Sequence, residues 1–261
     1  MLIIGISMVI PFIWMISASL KMPRDVLSIP IQWVPPYWYP DNFITVWTGK
    51  YNIALNYFNS LKVTTINVIG SVATSCLAGY AFARINFKGR NLVFLLYLST
   101  MMIPTQVTII PKFILFDKLG LLNTHYSIIL PGLFTIFGTF LMRQAYLQIP
   151  MSLSESAYID GAGELRIWYQ IITPLVKPTM AALMLLVFMW NWNAYEEPYI
   201  FLTSRDLYTI PVGLNSFIDE NITEYSLVMA ASVSALLPVF IVFITGQRYF
   251  IQGLTAGSVK G

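Results

Sequence analysis

The chain has 261 residues, of which 57% are hydrophobic and only 10% charged, whereas a soluble globule would carry about 25% charge, so a membrane protein is expected. The net charge of +3 is small and the basic residues are scattered, which excludes a nucleic-acid-binding surface. With one cysteine, Cys76, and one histidine, His125, an internal disulfide and a metal cluster assembled from these residue types are both excluded.

A membrane-crossing helix needs roughly 20 mostly apolar residues. Six segments qualify, at about 1–20, 62–83, 91–111, 125–145, 178–198 and 226–247. The expectation is an all-α polytopic membrane protein, a single transmembrane domain over 1–261 with six spans and both termini on one side. Residues 1–20 lack a basic flank and a small-residue cleavage pattern, so they read as a span and not as a secretory signal. Residues 21–61 contain IPIQWVPPYWYP, too rich in proline for a helix and too aromatic for a disordered linker. They predict a folded external loop lying on the membrane surface.

Cys76 falls in an apolar run and reads as a small packing residue. On the third span Thr100, Thr105, Gln106 and Thr108 form a polar stripe, better suited to joining helices than to lining a pathway. His125, at the outer end of the fourth span, reads as solvated or interfacial. Pro11, Pro104, Pro111, Pro131 and Pro238 fall within the spans and predict kinked helices, which membrane proteins tolerate where neighbours or a cavity satisfy the freed carbonyl.

Residues 149–178 are the longest polar island between two apolar segments, within a loop read as 146–177. Ser152 and Glu155 have the spacing of a capping box and predict the start of a short helix. Gly161 and Gly163 supply a turn, and Glu164 to Ile171 read as a second helix ended by Pro174. Such a loop at a membrane face is a handle for another protein to push on.

The fifth span closes with Met189-Trp-Asn-Trp-Asn-Ala-Tyr-Glu-Glu-Pro198. Aromatic rings bind the apolar faces of sugars and carboxamides bind their hydroxyls, so Trp192, Asn193 and Tyr195 are candidate pathway residues. The competing reading is an aromatic belt at headgroup depth, although Asn191 and Asn193 inside a span need bundle partners or a wet cavity. No catalytic constellation is present, and no GxxxxGK[ST] exists to cradle ATP phosphates. Any nucleotide that drives the protein must sit on a partner.

Glu155-Ser-Ala157, then Gly161, then nine residues to Ile171 and Pro174, resembles the cytoplasmic EAA loop of permease subunits of binding-protein-dependent ABC importers. Ala78-Gly-Tyr-Ala-Phe-Ala-Arg84, Met102-Ile-Pro104, Ile110-Pro111, Trp192-Asn193 and the C-terminal stretch from Gln247 to Lys260 narrow the likeness to maltose-type carbohydrate permeases. Ser156 stands where that family usually has alanine, and Thr173 where it usually has leucine. The resemblance implies a type I ABC importer permease fold, with Glu155, Ala157, Asp160 and Gly161 as the ATPase-coupling set. It also implies partners: a second homologous permease, two ATPase subunits or a homodimeric ATPase, and an extracytoplasmic solute-binding protein that delivers a carbohydrate. ATP and magnesium would be held by the ATPases and no cofactor by this chain, in the cytoplasmic membrane of a prokaryote.

Charge supports this orientation. The side bearing the EAA-like loop holds eight basic and three acidic residues, net +5, and the other seven and nine, net −2. Two alternatives remain at this point: a permease for a non-sugar solute such as a phosphorylated polyol, and an ion-coupled secondary transporter. The first wants cations facing the cavity and the second an ionisable relay at mid-membrane, and the middles of the predicted spans supply neither.

Overall fold

The computed structural model of the chain describes residues 2–49, 53–219 and 224–255, and the regular structure among them is entirely helical. The helices are α1 (Leu2–Ser19), α2 (Asp41–Thr48), α3 (Ile53–Arg84), α4 (Arg90–Ser99), α5 (Thr105–Lys118), α6 (Tyr126–Gly132) and α7 (Ile136–Leu147). They are followed by α8 (Met151–Ile159), α9 (Glu164–Arg166), α10 (Lys177–Trp192), α11 (Glu196–Phe201), α12 (Ile210–Asp219) and α13 (Tyr225–Thr255).

Among the described residues four helices are long and apolar enough to cross a membrane: Ile53–Arg84, Tyr126–Leu147, Glu164–Trp192 and Tyr225–Tyr249. The predicted third span is not straight. α4 and a 3₁₀ turn meet α5 at a 98° bend. Pro104 is the cause: it lacks a backbone donor, and its ring pushes Ile103 out of the helical region to φ −81°, ψ 116°. α1 supplies the remaining apolar segment; its Ile4–Ser19 portion is shorter than the other spans. α3 begins at Ile53, well before the predicted span start at 62. The fifth span ends at Trp192 instead of reaching 198, and Glu196 opens a separate helix.

The helices sort into two compact units. In the first, Met1–Lys62 with Trp192–Ile241, the apolar core is Val46, Ile53, Phe217, Leu227, Ala230 and Ala231. Its polar ties are between helix and loop: Asn59 Nδ2 donates to the carbonyls of Asp206 (2.8 Å) and Tyr208 (3.1 Å), and Ser60 Oγ accepts the Ile210 N–H at 2.8 Å.

The second unit, Val63–Asn191 with Val242–Gly261, is built on α3, α7 and the run from α9 into α10. Tyr80, Met142, Tyr146, Ile167, Ile172 and Leu183 form much of its core, and Cys76 packs among them as a small apolar residue. Asn67 on α3 donates to Asn191 Oδ1 on α10 at 2.6 Å, and Asn191 donates to the Val187 carbonyl at 2.9 Å. Asn191 is therefore satisfied inside the bundle. The Thr100 and Thr108 hydroxyls bond carbonyls three residues back on their own chain and do not join helices. His125, read as solvated or interfacial, is buried at 8% exposure at the N-terminal cap of α6, so it is not solvated.

α3 and α7 approach closely at Gly79. A Cβ there would lie 2.8 Å from Met142 Cβ and 2.9 Å from the backbone nitrogen of Arg143, and backbone cannot swing aside. Gly79→Ala should cost about 1–3 kcal/mol through overpacking. Gly163→Ala meets no atom within 4 Å and should be near neutral. Thermal unfolding of the two purified variants in detergent checks both; equal midpoints would mean that α3 and α7 pack too loosely at Gly79 to exclude a methyl group.

Candidate functional site

The predicted loop is folded and tied to the spans. Pro150, not Ser152, holds the N-terminal cap position of α8, so Ser152 lies inside the first turn and the predicted capping box does not form. α8 ends in a Schellman motif. Ala162 N–H reaches back to the Ala157 carbonyl (2.9 Å) and Gly161 N–H to the Tyr158 carbonyl (3.0 Å), with Gly161 at φ +76°. Only glycine adopts that backbone at no steric cost.

Beyond the turn the chain does not stop at Pro174. α9 passes into a π turn (Ile167–Ile172), then a 3₁₀ turn (Thr173–Val176), then α10, and the whole Glu164–Trp192 run is one continuous apolar helix. The π and 3₁₀ turns replace the α-helical ladder where Pro174 would have broken it, so the missing donor leaves no gap.

Three polar ties hold this loop to the helices. Arg84, the last residue of α3, donates Nε and Nη2 to the Tyr146 carbonyl (3.2 and 2.7 Å) and Nη2 also to the Ile149 carbonyl. These carbonyls lie where α7 ends, and the guanidinium adds a charged donor to the Gln148 and Ile149 N–H groups that already turn back to the Tyr146 carbonyl. Tyr80 on α3 donates its hydroxyl to Glu164 Oε1 on α9 at 2.6 Å. The Tyr146 hydroxyl lies 3.1 Å from Thr173 Oγ1, and the Tyr80 and Tyr146 rings pack edge-to-face at 5.6 Å.

The four residues singled out on the loop divide. Ala157 is 6% exposed and belongs to the core with Tyr80 and Tyr146, so it seats α8 and presents no surface to a partner. Glu155, Asp160 and Gly161 are exposed, as are the neighbouring Tyr158 and Ile159. Sequence reading missed Tyr80, Arg84, Tyr146 and Thr173. Thr173, which stands out in the sequence only as a departure from leucine, makes a hydrogen bond that leucine cannot. The one signal for this cluster is the arginine ending an apolar span next to a proline-bounded loop.

The pathway candidates also divide. Trp192, at 2% exposure, donates Nε1 to the Ala235 carbonyl (3.1 Å) and packs edge-to-face on Tyr57 at 5.5 Å. It shares with Asn193 the wall of a cavity of about 350 Å³, whose other lining includes Phe12, Met15, Ile210 and Ser232. Tyr195 stacks on Tyr199 at 5.2 Å instead and is not part of that lining. An apolar wall with an indole, a carboxamide and a hydroxyl suits a neutral polyhydroxylated solute, and the lining contains no cation.

Residues 66–256 match the family described as binding-protein-dependent transport system inner membrane component. The arabinooligosaccharides transport system permease protein of Halalkalibacterium halodurans is 36% identical over 97% of this chain and 91% of its own length. The sn-glycerol-3-phosphate transport system permease protein of Yersinia enterocolitica is 32% identical over 97% and 93%. Among solved structures, a bacterial ABC transporter involved in the import of the acidic polysaccharide alginate superposes with a TM-score of 0.87 at 25% identity, covering 95% of this chain and 92% of that one.

Removing the guanidinium takes a charged donor from the Tyr146 and Ile149 carbonyls at the α7–α8 junction. Arg84→Ala should therefore destabilise by about 1–3 kcal/mol, whereas Tyr80→Phe, which removes one hydrogen bond, should cost about 0.5–1.5 kcal/mol. Limited proteolysis of the 146–177 loop reads this locally: Arg84→Ala should be cut faster than the parent chain, and an unchanged rate would mean that Arg84 does not hold the loop in place.

Proposed function

The chain belongs to the binding-protein-dependent transport system inner membrane components, and we propose that it is the transmembrane subunit of an ATP-driven ABC importer for a carbohydrate, an oligosaccharide in particular. A second, homologous permease completes the pathway. A solute-binding protein outside the cytoplasmic membrane delivers the cargo. Two ATPase subunits or a homodimeric ATPase carry ATP and magnesium on the cytoplasmic side, since this chain has no phosphate-cradling GxxxxGK[ST].

The observation that carries this reading is the loop: an exposed short helix whose inner face is locked to three spans. When the ATPases close on ATP they push on Glu155, Asp160, Gly161 and the flanking Tyr158 and Ile159. Ala157 and the Schellman turn keep α8 rigid under that push. The force passes to α3 and α7 through Arg84, to α3 again through Tyr80 and Glu164, and to the start of α10 through Tyr146 and Thr173. α10 ends at Trp192, so the span moved at its loop end carries the cavity tryptophan at the other. The helices then move as bodies and alternate access to the cavity.

The sn-glycerol-3-phosphate relative gives the phosphorylated polyol a specific claim. The uncharged cavity lining speaks for the neutral sugar, because a phosphate removed from water needs a cation or several donors. The deciding experiment is ATP hydrolysis by the complex purified through this chain and reconstituted in lipid. Binding proteins loaded with oligosaccharides or with sn-glycerol-3-phosphate are added from outside. Stimulation by an oligosaccharide-loaded protein is expected; stimulation only by the phosphorylated polyol selects the second reading, and absence of any co-purifying ATPase overturns both.

The docking surface has its own test. Aspartate is among the residues that visit the left-handed backbone, and a Cβ at Gly161 meets no atom within 4 Å, so Gly161→Asp should still fold. The variant should reach the membrane at normal abundance and lose transport, because it puts a charge where the partner closes. Loss of the protein itself would assign Gly161 to folding alone.

A further inference from the structure

The segment after α1 presents an apolar, aromatic surface with no partner in the chain's own core. Ile29 is 95% exposed, Val34 70%, Tyr37 68% and Trp38 67%, and Ile31 and Trp33 are also exposed. From Val26 to Pro40 there is no charged residue; Lys21, Arg24 and Asp25 stand on one flank and Asp41 on the other. Exposed side chains of this size and density mark a surface that is covered in the assembled state.

The base of the segment is tied to the end of α1. Tyr39 N–H donates to the Leu20 carbonyl at 2.9 Å, and Asn42 Nδ2 donates to the carbonyls of Ser19 (2.9 Å) and Lys21 (2.8 Å). Lys21, whose ammonium donates to the Gln32 carbonyl, is 1% exposed, and burial pushes its pKa down despite the nearby Asp25. The apolar ridge therefore projects from the C-terminal end of α1, itself apolar and exposed along Ile6, Val9 and Ile13. Pro30, Pro35 and Pro36 fall within the ridge and have no N–H to leave unsatisfied away from water. Trp and Tyr with aliphatic neighbours, at the end of a span, are the side chains that settle at headgroup depth.

We propose that residues 27–38 form a membrane anchor that inserts its apolar ridge into the headgroup–acyl boundary of the outer leaflet, holding the outer end of α1 at a fixed depth. The partner is a lipid surface, reached through continuity with the exposed apolar wall of α1. It is not the extracytoplasmic binding protein, which would meet a ridge without charge to orient it. The anchor is a property of this chain and stands whichever cargo is carried.

The test uses the full chain within its importer complex, in vesicles of phosphatidylcholine and phosphatidylglycerol. On a Cys76→Ala background, Val34→Cys and, independently, Ile29→Cys are labelled with a small environment-sensitive fluorophore. Quenching is measured with nitroxide lipids labelled near the headgroup or deep in the acyl chain, and with aqueous iodide. The shallow nitroxide should quench both sites more strongly than the deep one, and iodide should quench them weakly. Strong iodide quenching without lipid quenching, or protection that appears only when a solute-binding protein is added, would overturn the anchor. Because Val34 and Ile29 are exposed, neither change should disturb folding, and transport by each unlabelled variant confirms that.

Discussion

The guanidinium of Arg84 organises the end of the α3–α7 pair at which the 146–177 loop is held. It lies at the last turn of α3 and bonds the carbonyls with which α7 ends and the polypeptide turns into α8. A charged donor on the Tyr146 and Ile149 carbonyls is worth more than an ordinary neutral hydrogen bond, and it fixes direction as well as distance. With it in place, Ala157 can drop into the core beside Tyr80 and Tyr146, and α8 is left with one face held and one face free. A helix held this way passes displacement on; a loop attached only at its ends would absorb it.

The two kinds of chemistry a transporter needs are separated along the chain. The polar ties cluster where α3, α7, α8 and α9 meet, whereas the cavity beside Trp192 is mainly apolar, with an indole, a carboxamide and a hydroxyl as its polar elements. This division follows from the solvent. A hydrogen bond among buried groups at a loop is kept because breaking it strands its partners. A binding wall must instead release its cargo, so few polar groups and broad ring contacts suit it.

Much of this is legible in the residues, for identifiable reasons. Spans announce themselves because every backbone polar group in lipid must be satisfied within a helix, which demands long apolar runs; the long apolar helices α3 and α13 follow directly. Pro104 reads as a kink, but whether a proline bends a helix or divides it depends on neighbours, and in this fold it gives a 98° break. Pro174 goes the other way, since a π turn and a 3₁₀ turn absorb it. Gly161 is legible as a turn because its positive φ is a local property. The Arg84, Tyr80–Glu164 and Tyr146–Thr173 ties join residues far apart in sequence, and no local pattern encodes such pairings. Ala157 shows the remaining ambiguity: a small residue in a loop motif can be a contact or a seat, and only its burial decides.

The central claim is that the ties beneath α8 convert closure of the ATPases into movement of the spans. The ratio of cargo imported to ATP hydrolysed, measured on the reconstituted complex carrying Arg84→Ala, tests it most directly. The account predicts that binding-protein-stimulated hydrolysis largely persists while import falls, so that the ratio drops. A ratio equal to that of the parent complex, with import and hydrolysis either unchanged or reduced together, would contradict it.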